Sequence, residues 1–276
     1  MDQSFEVVGI EVGEFSSDLK AMLVFWISHE VHGHVFDHGH VLRSVEAAQP
    51  GEIVAIPLLL ERLELTGALV TIDAMGTQTD IAEKIIGRGG DYLLALKANR
   101  PVLHQDVVAF FDDPPADMLE PMHNTTDGDH GRVEERRHVV CHKVDWLFSD
   151  RRYADEPRFP HLAMIGMIET RVERNSTVAR ERRYYLSSTT LDAKTFAAAV
   201  RAHWGVENRL HWVLDVIFHE DLSRLRTGHG PHNMATVRHM AMNLLRSAKP
   251  GKSLKVRRKV AGWNPDYLNA ILHGTG

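Results

Sequence analysis

Gly67-Ala68-Leu69-Val70-Thr71-Ile72-Asp73-Ala74-Met75-Gly76 decides the fold class. It is a continuous apolar run rich in β-branched residues that ends in an acid and a glycine, the pattern of a strand covered on both faces. Asp73 then stands at the strand's carboxyl end. A helix follows from Thr79 to Arg88, stopped by Gly89-Gly90, and a second buried run, Asp91 to Lys97, comes next. Strand, helix and strand at this spacing make a βαβ unit with parallel strands. Open sheets of this kind place their chemistry beyond the carboxyl ends of their strands, so Asp73 is a candidate functional acid. It equally reads as a cap on the turn before Gly76.

Working towards the N-terminus, Ile56 to Leu63 has helical apolar spacing with Pro57 near its start, predicting a short helix that ends near Gly67. Residues 1–44 show poor periodicity and read as an irregular segment. They contain His29, His32, His34, His38 and His40, a composition that can take up zinc or nickel. His29-Glu30-Val31-His32 is one residue short of the His-Glu-x-x-His spacing that sets two histidines one helical turn apart, and Gly33 and Gly39 argue against a helix there.

Towards the C-terminus, Pro101 to Phe111 predicts a helix, and the Pro- and Asp-rich chain from Asp112 to Gly131 a loop or insertion. Segments 132–142, 162–174 and 181–187 alternate as antiparallel strands do. The last third reads as three helices: Asp192 to about Asp215, Asn233 to Arg246, and a weaker one near Pro265 to Leu272. Within the first of these, Trp204, Glu207 and His211 would share one face. That face is either a solvated stripe anchored by tryptophan or a second acidic position able to join Asp73. Asp215, Glu220 and Asp221 lie just downstream, as added acids or plain surface charge.

Composition limits the remaining choices. The 276 residues are 43% apolar and 25% charged with a formal charge of −5, so any site for a polyanion must be a local patch. The single Cys141 excludes an internal disulfide and a cysteine-rich zinc module. No apolar run approaches the roughly 20 residues of a bilayer span, and the acidic N-terminus is unlike a secretory signal, which predicts a cytoplasmic protein. Basic residues gather at the end of the chain: Arg246, Lys249, Lys252, Lys255, Arg257, Arg258 and Lys259. They form either a mobile solvated tail or a salt-sensitive DNA contact. Arg132, Arg136 and Arg137 with His130 make a second, smaller group.

Several blocks, in order, carry a resemblance to the DDE transposases of bacterial insertion sequences, in the branch of the H-repeat-associated proteins: Thr71 to Gly76, Gly90 to Lys97, His130 to Glu134, His203 to Asn208, His211 to Val216 and Asn233 to Ala235. The resemblance covers roughly residues 45 to 270. It implies an RNase H-like core, a mixed sheet flanked by helices with a helical C-terminal region. It further implies DNA strand cleavage and transfer by three acids that hold two Mg²⁺ or Mn²⁺ ions. On it, Asp73 matches the second acid and Glu207 the third. The related pattern Tyr-x2-Arg-x3-Glu-x6-Lys fits only at its Glu: Val200, His203 and Leu214 stand at the other positions. Phosphate contacts then fall to Arg201, His203 or His211, beside the basic cluster Lys252, Lys255, Arg257, Arg258 and Lys259. The implied partner is double-stranded DNA, held by a homodimer on paired ends, with the protein at the nucleoid and no membrane association.

The resemblance stops at the front, where relatives carry an Ile-Asp-Gly-Lys segment on an early strand. Asp37 is a nearby acid followed soon by glycine. The expectation is therefore a truncated or frame-disrupted copy: residues 1–44 unrelated to the family, an incomplete core over 45–248 whose sheet lacks its first strands, and a basic tail over 249–276 with a short helix. Such a chain is expected to be inactive. Two other readings stand beside it: a catalytically silent DNA-binding remnant, and a histidine-dependent metal enzyme built on the N-terminal tract.

Overall fold

A computed structural model describes residues 6–13, 22–31, 34–38, 56–58, 60–61, 63–115, 117–129, 132–148, 158–174, 177–206, 212–248 and 251–274, the first three segments as backbone. Its centre is the predicted βαβ unit. Strand β4, Ala68–Ile72, is buried at every position, and β5, Asp91–Leu96, pairs with it in parallel from Leu69 with Asp91 to Ile72 with Leu94. Between them runs helix α1, Thr79–Gly87. Gly89 has the left-handed φ of 77° that ends this helix and starts the turn into β5, a conformation only glycine adopts cheaply.

Strand β4 does not end the sheet. Its other neighbour is β1, Glu6–Gly13, parallel to it, with Glu6 beside Ala68 and Ile10 beside Ile72. Two antiparallel strands continue outward, β2 (Met22–Val31) and β3 (His34–His38). The segment read as irregular is thus strand-forming, and the sheet has first strands. The histidine tract lies along the β2–β3 hairpin, with His29 opposite Phe36. An extended backbone cannot set two histidines a helical turn apart, so a helical zinc motif is excluded for the described part of the tract. His32 and His40 lie outside the described residues.

Beyond β5 come β9 (Thr177–Ser187), β8 (Met164–Arg174), β7 (Arg132–Cys141) and β6 (His123–Asp129), all antiparallel, giving the order β3-β2-β1-β4-β5-β9-β8-β7-β6. Strand β6 falls within the stretch expected to be loop. Its sequence, His-Asn-Thr-Thr-Asp-Gly-Asp, has no apolar alternation because it is a sheet edge joined by backbone bonds to β7.

Alternation along the strands builds two cores. Ala68, Val70 and Ile72 of β4 pack with Ile81 and Ile85 of α1 and with Leu103, Val107 and Phe111 of α2, Pro101–Asp112. Leu69 of β4 packs on the opposite face with Phe196, Ala199 and Val200 of α3, Ala193–Val206. Helix α3 crosses β1 and β4 on that face. This is the mixed sheet flanked by helices of an RNase H-like fold. The helix expected at Ile56 is short: residues 56–58 and 60 are helical and a turn follows.

The C-terminal third forms its own small cores. Helix α4, Trp212–Phe218, packs Val213, Leu214 and Ile217 against Ala235 and Met242 of α5, Gly230–Ser247. Helices α6, Leu254–Trp263, and α7, Pro265–Leu272, follow. The expected tail with one short helix is therefore two docked helices. The helix predicted from Asp192 to Asp215 is described only to Val206, and helical structure resumes at Trp212. Among the described residues no helix is long and apolar enough to cross a membrane.

Candidate active site

Asp73 is exposed at the carboxyl end of β4, as the sheet rule requires. Its Oδ1 accepts from the backbone N–H of Met75 at 3.1 Å and of Gly76 at 3.5 Å, so it also caps the turn. The turn-cap reading of this residue holds, and capping engages one oxygen only. Among the described residues Oδ2 has no hydrogen-bond or ion-pair partner. The turn is held rigidly: Asn99 Nδ2 donates to the Ala74 carbonyl at 2.5 Å, and the Thr77 hydroxyl donates to the Ala95 carbonyl of β5 at 2.6 Å. Gly76 is required here, since a Cβ would lie 2.4 Å from Ile72 Cγ2.

The last turn of α3 lies across from this acid. His203 Nδ1 and Thr71 Oγ1, two residues before Asp73, are hydrogen bonded at 3.1 Å. Trp204, its neighbour, meets the His203 ring edge-on with centroids 5.6 Å apart, and the guanidinium of Arg183 sits 5.0 Å from the indole centre. These groups border a cavity of 330 Å³ that also takes in Asp73, Lys97 and Glu181. Arg183 is held firmly charged by its 2.9 Å bond to Glu181, which in turn holds that carboxyl below the usual range. The cavity thus brings the Asp73 carboxylate together with Lys97 and the Arg183–Glu181 ion pair.

Glu207 and His211, with Asn208 to Leu210 between them, lie outside the described residues. Glu207 follows directly on Val206, the last residue of α3. Asp37 is not beside Asp73: its strand, β3, is three steps from β4, about 14 Å across the sheet at ~4.8 Å per strand.

The expected DNA contacts divide into two kinds. Arg201 is exposed and paired with Asp127 Oδ2 at 3.0 Å, an acid that also takes Arg136 at 2.5 Å and is held below its ordinary pKa by both. Arg137 reaches Glu169 at 3.7 Å. In the C-terminal cluster, Arg257 donates to the Leu245 carbonyl at 2.9 Å and the Ala248 carbonyl at 3.1 Å, and Arg258 donates to the Ile217 carbonyl while lying 5.3 Å over the Phe218 ring. These two arginines close the ends of α5 and α4. Lys252, Lys255 and Lys259 are exposed. Of the downstream acids, Glu220 is buried against Arg238 at 3.3 Å and belongs to the fold.

Sequence reading did not find Thr71, Lys97 or Arg183. Thr71 is hidden in an apolar run, and Lys97 and Arg183 look like ordinary strand-end charges until β5 and β9 are paired.

Oxygen donors and a neighbouring acid suit a hard divalent cation, and Asp73 is a fitting donor. Among the described residues no group of three or more His, Cys, Asp or Glu side chains is gathered closely enough to hold a metal ion. That statement covers neither Glu207 nor the side chains of residues 1–55.

A mixed sheet flanked by helices, with an exposed acid at the carboxyl end of a buried parallel strand, is consistent with an RNase H-like transposase fold. Residues 31–244 match the transposase DDE domain family, and the chain belongs to it. It is 40% identical over 242 residues to "Putative transposase YncI" of Escherichia coli O157:H7, covering 86% of this chain and 61% of that protein. It is 37% identical over 229 residues to "H repeat-associated putative transposase YhhI" of Escherichia coli strain K12, covering 82% and 60%. The strain K12 protein "Putative protein YbfL" is 38% identical over 229 residues, with the same shares. The chain thus spans about 60% of the length of these relatives.

Proposed function

We propose that this chain is the catalytic core of an insertion-sequence transposase, cleaving and joining DNA strands with Mg²⁺ or Mn²⁺ held by Asp73 and Glu207. The observation that carries this reading is Asp73 itself, exposed at the end of a buried parallel strand, beside the helix turn that leads into Glu207, in a member of the DDE family. When bound, divalent ions activate the attacking hydroxyl and stabilise the leaving oxygen at phosphorus. The chain's own residues supply the rest. Asp73 offers Oδ2 while Met75 and Gly76 fix Oδ1. Thr71 orients His203 on the wall of the cavity, where Lys97 and Arg183 give a phosphodiester a cationic surface. Arg201, His203, His211, Lys252, Lys255 and Lys259 are DNA contacts in this reading. Arg257 and Arg258 support the α4–α6 frame that carries the lysines. The partner is double-stranded DNA, bound by a homodimer at the nucleoid.

The test is Mn²⁺ binding by the whole chain, followed by nicking of duplex DNA. Asp73→Asn and Glu207→Gln are each expected to weaken Mn²⁺ binding by about tenfold or more, since even outer-shell partners cost that much. Wild-type affinity in both variants would refute the metal assignment. The departure from Ile-Asp-Gly-Lys favours a second reading, a catalytically silent DNA-binding remnant. That reading expects salt-sensitive DNA affinity unchanged in Glu207→Gln, with no nicking by the wild-type chain in Mn²⁺.

A further inference from the structure

Two arginines from separate elements meet at one carboxylate oxygen on the α3 side of the sheet. Asp127, near the end of the edge strand β6, takes Arg136 of β7 at 2.5 Å and Arg201 of α3 at 3.0 Å, both on Oδ2. The Nη2 of Arg136 is held separately by Glu134 Oε1 at 2.7 Å, so this guanidinium has an anchor of its own. Thr125 pairs in register with Arg136, and its hydroxyl oxygen is closed off from solvent with no hydrogen-bond partner among the described residues. Two converging guanidiniums and a spare hydroxyl suit an oxyanion that offers several acceptor oxygens. A single carboxylate oxygen uses only part of them. The trio is also open: the side chains of Asp127 and Arg201 are 51% and 61% exposed. Exposed ion pairs are screened by water and salt and contribute little to stability, so Asp127 is a replaceable occupant.

We propose that Arg136 and Arg201 form a binding site for one backbone phosphate of DNA, which Asp127 fills in the free protein and yields when DNA arrives. The proposal rests on the reading of Arg201 as a DNA contact, and it gives that contact a second arginine and a competing acid. A backbone phosphate carries the same unit charge as the carboxylate and presents two free oxygens to forked donors. It also releases the counterions condensed on the duplex, a gain that the carboxylate lacks. Exchange therefore runs towards DNA at low salt and back towards Asp127 at high salt. Arg201 belongs to the same helix as His203 and Trp204, so a phosphate held there is fixed to an element that walls the Asp73 cavity.

Binding of the full-length chain to a short duplex of arbitrary sequence, titrated over a range of salt without divalent ions, tests this. Asp127→Asn should bind DNA more tightly than the wild type at low salt and steepen the log–log salt slope by about 0.9, the share of one phosphate. The same substitution should change nothing once Arg136 and Arg201 are both replaced by Gln. Glu173→Gln controls for the lost charge: Glu173 is 49% exposed on the same strands but lies on the other side of the sheet, in step with Ile165 and Met167. A gain in Glu173→Gln equal to that in Asp127→Asn, a gain that survives loss of both arginines, or no gain at all overturns the proposal and leaves the DNA-contact reading standing. Failure of the unsubstituted chain to bind DNA at low salt overturns both. A measurement on the unsubstituted chain guards against misfolded variants: saturating duplex should protect Arg136 and Arg201 from modification by phenylglyoxal, read by peptide mass spectrometry. Equal modification with and without bound DNA overturns the proposal.

Discussion

Gly166 and His138 show how closely the α3 face of the sheet is filled. A Cβ on Gly166 of β8 would lie 2.8 Å from Cζ and 3.0 Å from Cε2 of Phe196, a fully buried ring. Gly166→Ala should therefore cost about 1–3 kcal/mol by overpacking, read as a lowered melting temperature with an unchanged far-UV spectrum. His138, buried on β7, has Nδ1 3.0 Å from the His123 carbonyl and its ring edge-on to Phe196. Burial pushes its pKa down, and the bond to His123 only partly opposes this. The unfolded chain thus binds this proton more readily, so stability is full above the ordinary histidine pKa of about 6.5 and falls as pH drops below it. Melting temperatures between pH 7.5 and 5.5 should decline more steeply for the wild type than for His138→Gln. Equal slopes would show that His138 does not contribute. Neither residue's role is legible in the sequence, since a glycine and a histidine within alternating strands give no sign of which ring they will meet.

At the scale of elements, the sequence displays those whose apolar pattern is built into their own residues. The β4–α1–β5 unit and the antiparallel β7, β8 and β9 are legible for that reason. The edge strand β6 is not, because its order comes from pairing with β7. Helix α6 is hidden differently. Leu-Lys-Val-Arg-Arg-Lys reads as a charged tail until two of its cations are seen to be spent on carbonyls. This division makes a prediction. Arg257→Ala should destabilise the chain by about 1.5–3 kcal/mol, the usual worth of hydrogen bonds from a charged donor. Lys255→Ala and Lys259→Ala should leave the melting temperature alone and each lower the salt slope of DNA binding by about 0.9. An Arg257→Ala variant with wild-type stability would show that the end of α5 needs no such closure.

For the molecule as a whole, the decisive question is whether residues 1–44 belong to the fold. Period-2 spacing was available there: Val8, Ile10 and Val12 alternate with Gly9, Glu11 and Gly13, and Met22 to Ile27 is an unbroken apolar run. The glycines and the histidine tract mask that pattern, and only the pairing with β4 gives it a place. In the sheet, β1 is an interior strand, with β2 on one side and β4 on the other. Deleting residues 1–44 would leave β4, apolar and buried at every position, as an edge with unpaired backbone groups. It would also uncover the part of α3 that crosses β1 and β2. A chain beginning at residue 45 is therefore expected to be insoluble or to bind a hydrophobic dye strongly. Substitutions confined to His29, His34 and His38, such as replacement of all three by Gln, should leave solubility and the melting transition intact if the hairpin acts through its backbone. A soluble, cooperatively melting chain from residue 45 onward would mean that the β1–β4 pairing contributes little to the stability of the fold.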